Sequence, residues 1–437
     1  MNRIQTENSS EPSLHWMWWL FYFCVFTAGF WVIDHTPFAS DYYKINSLEA
    51  ETDNRTADRI ESVNLITAPV RIVLGICGGL FLLLPNRQKL RWGGIVTMLM
   101  VGYLFYTGAS TFWSVHPRVS AAKFAVLLFF SLASFGLAKQ LNMRELATLF
   151  VTVCLAYIFI GIVAELVLGN FTPHKKDYRF VGTCHPNTLA VYGSFCCLVS
   201  LVYFNKIPNM NRVFIILFLV GISALVMSKS RTTLAGFGLA SLATIVLTFK
   251  PNHRVLAIST TMLLLVLMGL SLTLSRSNVR AAAAEKLAMG RTKDVSTLTG
   301  RLPLWEVLLE SVEEKPLIGH GYLAYWDKER IEILSDLLKW EIPHGHNMYI
   351  DVLLDGGIIG LLLFASIIVA GLLATGFRSI YYFDHDALLV FGFLTFAVIH
   401  GFAESLFKLP TFLLFMLVTL LLRIGFQTPE NMFDGKN

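Results

Sequence analysis

Long apolar runs, separated by short polar segments, repeat along almost the whole chain. A helix that crosses a bilayer needs about 20 mainly apolar residues, and about twelve runs approach or reach that length. Their cores are residues 15–33, 65–84, 93–112, 119–138, 146–168, 187–204, 213–228, 232–249, 255–274, 347–373, 387–406 and 409–424. The pattern predicts an all-α, polytopic membrane fold, whose first span is retained as an anchor.

One long polar segment, residues 275–345, separates the ninth span from the tenth. We expect a single integral membrane domain made of spans one to nine (1–274), a helical loop (275–345) and spans ten to twelve with a tail (346–437). Within the loop, "RLPLWEVLLESVEEKP" at 301–316 carries apolar residues at helical spacing, and "KERIEILSDLLKW" at 328–340 repeats the pattern more weakly. Both segments predict helices that lie against the membrane or cap a cavity.

Composition agrees with this interpretation. Hydrophobic residues make up 55% of the 437 positions and charged residues only 15%, whereas soluble domains average about 25% charged residues. The net charge of +5 is spread over separate loops, which predicts no nucleic-acid partner. The six cysteines form neither a CxxC pair nor a Cys/His metal spacing, so we expect no metal site.

The distribution of cations predicts the orientation. The short basic loops at 85–91, 139–145, 205–212 and 250–254 fall on one side of an alternating twelve-span layout, and the positive-inside rule makes that side cytoplasmic. Both termini are then cytoplasmic, while the 275–345 loop and the start of span ten lie outside.

Several further cations fall on the outer side, against the insertion bias. They are Arg71, Lys123, Lys175, Lys176, Arg179, Lys229, Arg231 and Lys408. Each alone could be a side chain that extends from a helix end towards water. As a group they favour a polyanion at this surface, such as a pyrophosphate-linked lipid.

The start of span ten, "PHGHNMYIDVLLDGGIIG" at 343–360, carries unusual polar chemistry. Asn347 can cap the helix, and His346 just before it lies at a water-facing edge where an imidazole can accept a proton. Asp351 and Asp355 follow Asn347 at spacings of four and share its helix face. Close approach of another helix is allowed by Gly356, Gly357 and Gly360.

Four motifs together resemble the O-antigen ligase family, within a superfamily that also holds O-antigen polymerases and protein O-oligosaccharyltransferases. They are His346-Asn347 followed after nine residues by Gly357 and Gly360, "SKSRTTLAGF" at 228–237, "TGRLPLW" at 299–305, and "RFVGTCHPNTLA" at 179–190. The first 65 residues match no part of that pattern, and no role is assigned to 34–64.

The resemblance implies a glycosyltransferase that moves a glycan from undecaprenyl-pyrophosphate to an acceptor hydroxyl, such as one on lipid A core. The site would face the periplasm at the bacterial inner membrane and use no cofactor and no metal. The resemblance assigns His346 as general base and Arg231 and Arg301 to the departing pyrophosphate, with inversion at the sugar. Further substrate-binding candidates are Arg179, Arg71, Lys229, His344, Asn347 and Glu404.

Two acidic residues near the predicted outer ends of spans have alternative interpretations. Glu404, four residues after His400 in span eleven, could orient His346 or pair with an arginine, and an ion pair with Lys408 is the competing hypothesis. Glu165, near the end of span five, is expected to be a solvated helix end.

Three other functions stay open at this stage. An O-antigen or exopolysaccharide polymerase would use the same donor with a second lipid-linked glycan as acceptor, and a protein O-oligosaccharyltransferase would use a protein. A transporter of lipid-linked sugars or solutes is the alternative from another class, because many spans with scattered charges also suit carriers.

Overall fold

The computed structural model describes residues 12–35, 56–84, 94–175, 178–249, 301–340, 342–405 and 411–426, and these residues form helices and loops without a strand. In chain order the helices are α1 (Pro12–His35), α2 (Thr56–Leu83), α3 (Ile95–Ala109), α4 (Pro117–Gln140), α5 (Met143–Val167), α6 (Pro186–Tyr203), α7 (Asn211–Met227), α8 (Arg231–Thr248), α9 (Arg301–Glu314), α10 (Lys328–Leu338), α11 (Met348–Tyr381), α12 (His385–His400) and α13 (Phe412–Phe426). The predicted span at 255–274, and Lys176 and Lys408, lie outside the described residues.

Every other predicted span coincides with a described helix. Among the described residues, six helical segments are long and apolar enough to cross a bilayer: Ile95–Phe112, Pro117–Gln140, Met143–Val167, Pro186–Tyr203, Arg231–Thr248 and Met348–Tyr381. Shorter apolar helices occupy Leu20–Ile33, Pro69–Leu83, Asn211–Met227, His385–His400 and Phe412–Phe426. The protein is therefore an all-helical, multi-pass membrane protein, and the layout of twelve spans remains a prediction.

An aromatic cluster packs the centre of the bundle. The ring of Phe415 in α13 lies 5.1 Å from that of Phe26, 4.9 Å from that of Phe30 and 5.3 Å from that of Phe130. Phe150 of α5 adds an edge-on contact with Phe412 at 5.8 Å. Lipid is as apolar as these side chains, so the gain comes from close ring packing across α1, α4, α5 and α13 rather than from exclusion of water.

Helix α11 is interrupted at Gly357, which has φ +61° and ψ −163°. A Cβ at this position would lie 2.3 Å from the backbone of Leu317, so only glycine allows the loop at 316–321 to approach. The loop bonds to both sides of the break, because the His320 N–H donates to the Leu354 carbonyl at 2.8 Å and the Ile358 N–H donates to the Pro316 carbonyl at 2.8 Å.

The close approach predicted from the glycines is therefore present, with two partners. At Gly357 the partner is a loop, whereas at Gly356 it is α3, whose Tyr106 hydroxyl donates to the Gly356 carbonyl at 2.6 Å. Hydrogen bonds on both sides of the interruption thus attach the segment at 301–340 to α11. Helix α11 begins and helix α12 ends at the same end of the bundle. This end is called the site end.

The expectation for Glu165 is wrong. Its side chain is only 2% exposed, and its carboxylate accepts hydrogen bonds from the N–H groups of Val181 at 2.9 Å and Gly182 at 2.8 Å and from the Tyr178 hydroxyl at 2.6 Å. The chain returns over the end of α5 after the turn that follows it, and this fold-back buries the carboxylate. Glu165 thereby holds the segment that carries Arg179.

Replacing Glu165 with leucine should destabilise the protein. The change removes the carboxylate that accepts from two buried N–H groups and a hydroxyl, and a buried hydrogen bond lost in this way costs about 1–3 kcal/mol. Thermal unfolding of the purified protein in detergent would measure the loss. Glu310→Leu, at an exposed position of α9, is the control, and equal melting temperatures for the two variants would contradict the structural role.

Candidate active site

Asn347 caps α11, as predicted, and places His346 at the site end. The Asn347 side-chain oxygen accepts hydrogen bonds from the N–H groups of Tyr349 at 3.0 Å and Ile350 at 3.2 Å. His346 itself has φ +47°, a left-handed backbone conformation that is uncommon for residues other than glycine. Such strained conformations are concentrated at functional sites, where surrounding contacts hold them.

The imidazole of His346 lies in an aromatic and basic setting. Its ring centroid is 4.0 Å from that of His344 and 5.2 Å from that of Trp340. The His346 N–H donates to His344 Nδ1 at 3.2 Å. The side chain is 17% exposed, and neither ring nitrogen has a hydrogen-bond partner among the described residues. No described residue occupies either nitrogen, and both are shielded from solvent in this conformation.

Glu404 faces His346 from the turn that follows α12. Its Oε2 lies 3.9 Å from His346 Nδ1, a distance that suits an ion pair with a protonated ring but is too long for a direct hydrogen bond. Its Oε1 accepts from Arg301 Nη2 at 2.9 Å and from Asn187 Nδ2 at 2.7 Å. The predicted span eleven was too long at this end, because the helix stops at His400 and Glu404 lies beyond it.

A chain of polar contacts extends from Glu404 to the segment that Glu165 holds. Arg179 Nη2 donates to Asn187 Oδ1 at 3.0 Å, and Arg179 Nε donates to the Ser228 carbonyl at 2.8 Å. Asn187 therefore bridges a guanidinium and a carboxylate, which fixes its amide orientation. Arg179, Asn187, Arg301, His346 and Glu404 come from four separate segments that meet at the site end, because Arg179 and Asn187 share the segment at 179–190.

The charges of this cluster determine its protonation. Burial alone would raise the pKa of Glu404, but the nearby His346 and the Arg301 guanidinium outweigh burial and hold the pKa at about 2. His185, the residue before α6, is buried, and burial lowers its pKa to about 4, with a further lowering by Arg179. At neutral pH the cluster therefore contains an ionised carboxylate and a neutral His185.

The remaining candidates lie at different places. Arg231 is the first residue of α8, three positions after Ser228, and shows no ion pair or hydrogen bond of its side chain to another described residue. Lys229 lies in the turn before it with φ +50°. Arg71 is buried in α2, and its charge acts on Lys123 and Tyr322, which form a second group with Asp355.

Several residues of the site were quoted in motifs but given no role by sequence reasoning. Asn187 and His185 belong to "RFVGTCHPNTLA", and Trp305 belongs to "TGRLPLW". Trp305 Nε1 donates to the Gly345 carbonyl at 2.9 Å and so supports the residue before His346. Their position inside recognised motifs was the signal that could have identified them.

An apolar cavity of about 110 Å³ lies beside the site, among α3, α4, α11, α12 and α13. Met348, two residues after His346, lines it together with Tyr103 and Tyr322, and Leu421 and Phe135 line its far part. Such a lining suits hydrocarbon. In the described part of the chain, no three His, Cys, Asp or Glu side chains are grouped closely enough to hold a metal ion.

Fold and site together define a multi-pass helical membrane protein with a partly buried His, Glu and Arg cluster at one end. A family model described as O-antigen ligase matches residues 215–365, which include Arg231, Arg301 and His346. The chain is 24% identical over 422 residues to the O-antigen ligase of Pseudomonas aeruginosa, an alignment that covers 94% of this chain and 89% of that protein.

A second relative is the exopolysaccharide production protein ExoQ of Rhizobium meliloti, 30% identical over 129 residues. That alignment covers 28% of this chain and 30% of ExoQ. The family model covers about a third of the chain, and together with these relatives it supports the O-antigen ligase resemblance that the motifs indicated.

Proposed function

We propose that this protein transfers a glycan from undecaprenyl-pyrophosphate to an acceptor hydroxyl, with lipid A core as the expected acceptor, at the periplasmic face of the inner membrane. The observation that carries the proposal is the placement of His346 beside Glu404 and Arg301, which unites a proton acceptor, a fixed anion and a guanidinium. The donor bond is already activated, so the reaction needs neither a nucleotide nor a metal.

His346 is the general base in this proposal. As the acceptor oxygen bonds to the anomeric carbon, its proton passes to the ring nitrogen that does not face Glu404, Nε2. The bond from the anomeric carbon to the pyrophosphate oxygen breaks, and its electron pair leaves with the pyrophosphate. The ionised Glu404, 3.9 Å from Nδ1, stabilises the imidazolium that forms.

Arg301 and Arg231 stabilise the departing pyrophosphate, and Arg179 and Lys229 add positive charge at the same end. A guanidinium has five N–H donors in a planar fork that matches phosphate oxygens, and the described contact with Glu404 uses one donor of Arg301. Charge that develops on a leaving group is stabilised most by donors already fixed in place.

The apolar cavity supports a lipid-linked donor. It begins beside Met348 and Tyr322 and continues along α4 and α13 among apolar side chains. A hydrocarbon chain placed there would leave its diphosphate near the site end. In this proposal His344 contacts the acceptor, and its ring contact with His346 supports that role.

Glu404→Gln tests the role of the anion. We expect kcat to fall about 10- to 100-fold, since the variant loses a fixed charge that stabilises the transition state. The pH–rate profile should change as well. The pKa of Glu404 is about 2, so this carboxylate is ionised throughout the working range. Without the anion the imidazolium is less stable, and the acid limb of the profile should move to lower pH.

The pH–rate profile is measured on purified protein, with Glu310→Gln at an exposed position of α9 as the control. An unchanged acid limb together with an unchanged kcat would remove Glu404 from the mechanism.

Direct displacement inverts the anomeric configuration, and we propose inversion here. NMR of the product linkage would check this hypothesis against the configuration of the donor. Retention would require a covalent glycosyl intermediate and would contradict the single-displacement mechanism.

A polymerase is the second candidate, because the relative with the higher identity is named for exopolysaccharide production. It would use the same donor with a second lipid-linked glycan as acceptor. In a deletion strain, loss of attached glycan with accumulation of lipid-linked polymer indicates a ligase, whereas shortened polymer that is still attached indicates a polymerase. Glycan on protein would instead indicate an oligosaccharyltransferase.

The decisive experiment uses purified protein with a synthetic polyprenyl-pyrophosphate glycan and candidate acceptors. Transfer without ATP and without an ion gradient would support the enzyme. Movement of the donor across a vesicle membrane with no product would instead support a transporter.

A further inference from the structure

The carboxylate of Asp351 lies where three segments of the site end meet. Asp351 belongs to the first turn of α11 and is only 6% exposed. Its Oδ1 accepts from the Gly345 N–H at 3.1 Å and from Trp326 Nε1 at 3.1 Å, and its Oδ2 accepts from the Ser405 hydroxyl. The carboxylate thus connects the loop before α11, the loop before α10 that carries Trp326, and the turn after α12.

Two of the residues that Asp351 contacts are neighbours of His346 and Glu404 in the chain. Gly345 directly precedes His346, and Ser405 directly follows Glu404. We propose that Asp351 is a positioning residue that sets the separation between the His346 ring and the Glu404 carboxylate. The proposal rests on the proposed function, in which these two groups act together.

Neither His346 nor Glu404 lies within a regular helix. His346 has a left-handed backbone just outside α11, and Glu404 lies in the turn beyond α12. Asp351, in contrast, is inside α11, where its N–H donates to the Asn347 carbonyl at 3.0 Å. A rigid helix therefore supplies one carboxylate that anchors both irregular segments by their neighbouring residues.

The fit at Gly345 is close enough to constrain the sequence. A Cβ on Gly345 would lie 2.7 Å from Asp351 Oδ1 and 3.2 Å from Leu308 Cδ1. Alanine at this position would therefore displace the carboxylate while leaving the charge of Asp351 in place. Gly345→Ala and Asp351→Asn thus disturb one contact in two independent ways.

Asp355 is the control residue for Asp351, because it is a similarly buried carboxylate in the same helix. It lies one turn further along α11, is 9% exposed, and its described neighbours are Tyr103 and Tyr322 rather than Gly345 or Ser405. If Asp351 contributes only to stability, the two substitutions to asparagine should affect activity alike. If Asp351 positions the site, only its own substitution should lower turnover in folded protein.

The test compares Asp351→Asn, Gly345→Ala, Ser405→Ala and Asp355→Asn in purified full-length protein, with kcat, KM and melting temperature measured for each. We expect kcat to fall about 10- to 100-fold for Asp351→Asn and Gly345→Ala, because a misplacement of about 1 Å at a reacting group can reduce rates by about 100-fold. Donor KM should stay within about 2-fold, since the pyrophosphate contacts are unchanged.

A double-mutant cycle gives the sharper test. Asp351→Asn with Ser405→Ala should lower kcat little more than Asp351→Asn alone, because both changes remove one shared contact. Strict additivity, or equal kcat losses for Asp351→Asn and Asp355→Asn at equal melting temperatures, would overturn the positioning role.

The same variants distinguish a failure of the positioning role from a failure of the proposed function. If Asp351→Asn does not fold, Ser405→Ala and Gly345→Ala decide, and wild-type kcat in both overturns the proposal. If His346→Ala is inactive while Asp351→Asn behaves like Asp355→Asn, the positioning role fails and the base stands. If His346→Ala keeps full activity, the proposed mechanism itself fails.

Discussion

Replacing His346 with alanine should lower glycan transfer by about 10²- to 10⁴-fold, the contribution that a general base makes to catalysis. Neither ring nitrogen of His346 has a hydrogen-bond partner among the described residues. The ring lies where Glu404, His344 and Trp340 converge. Asn347, which supplies the helix cap, is unchanged, so the start of α11 should stay intact. The loss should therefore appear in kcat and not in the melting temperature.

The measurement is single-turnover transfer from a synthetic lipid-linked donor. His116→Ala is the matched control, since His116 also contacts a carboxylate, Asp327 Oδ2 at 3.1 Å, near the start of α4. His116→Ala should transfer glycan at close to the wild-type rate. Wild-type turnover by His346→Ala would exclude this histidine as the base.

Arg301→Ala should lower kcat by about 10²- to 10³-fold, the loss seen when one fixed donor to a developing negative charge is removed. Arg301 begins α9, its side chain is partly buried beside Glu404, and its Nη2 donates to Glu404 at 2.9 Å. This contact orients the guanidinium while other N–H donors can face phosphate. Arg301→Lys keeps the charge but loses the planar fork, so it should recover only a small part of the activity.

Arg330→Lys is the control for the arginine series. Arg330 belongs to the same segment at 301–340, and its guanidinium lies over the Tyr325 ring at 4.4 Å rather than beside Glu404. Kinetics with the lipid-linked donor should show near-normal rates for this variant. Full rescue of transfer by Arg301→Lys would argue against bidentate contact with the pyrophosphate.

Local patterns predicted the elements well. Apolar runs coincide with described helices at every predicted span outside 255–274, and the two helices predicted within the 275–345 loop appear at Arg301–Glu314 and Lys328–Leu338. The Asn347 cap also follows from neighbouring residues, since its side chain bonds N–H groups two and three positions away. Such features need no information about distant parts of the chain.

The candidate site was predicted only in part. Motifs indicated His346, Arg301 and Arg179 as separate residues, and Glu404 had competing partners. In the structure Glu404 is bonded to Asn187, 217 positions earlier, and to Arg301, 103 positions earlier. Arg71, predicted to bind the same substrate, lies near Lys123 and Tyr322 instead of among the described partners of Glu404.

Hydropathy, helix capping and motif order, which depend on residues within a few turns of one another, were enough to predict a helical membrane protein that resembles the O-antigen ligase family and to indicate His346 as its candidate base. The burial of Glu165, the bridge made by Asn187 and the three-way contact of Asp351 became visible only once distant segments had packed together. The reason is physical: an apolar run specifies that a segment enters the membrane, but side-chain packing between helices selects which loops meet at their ends.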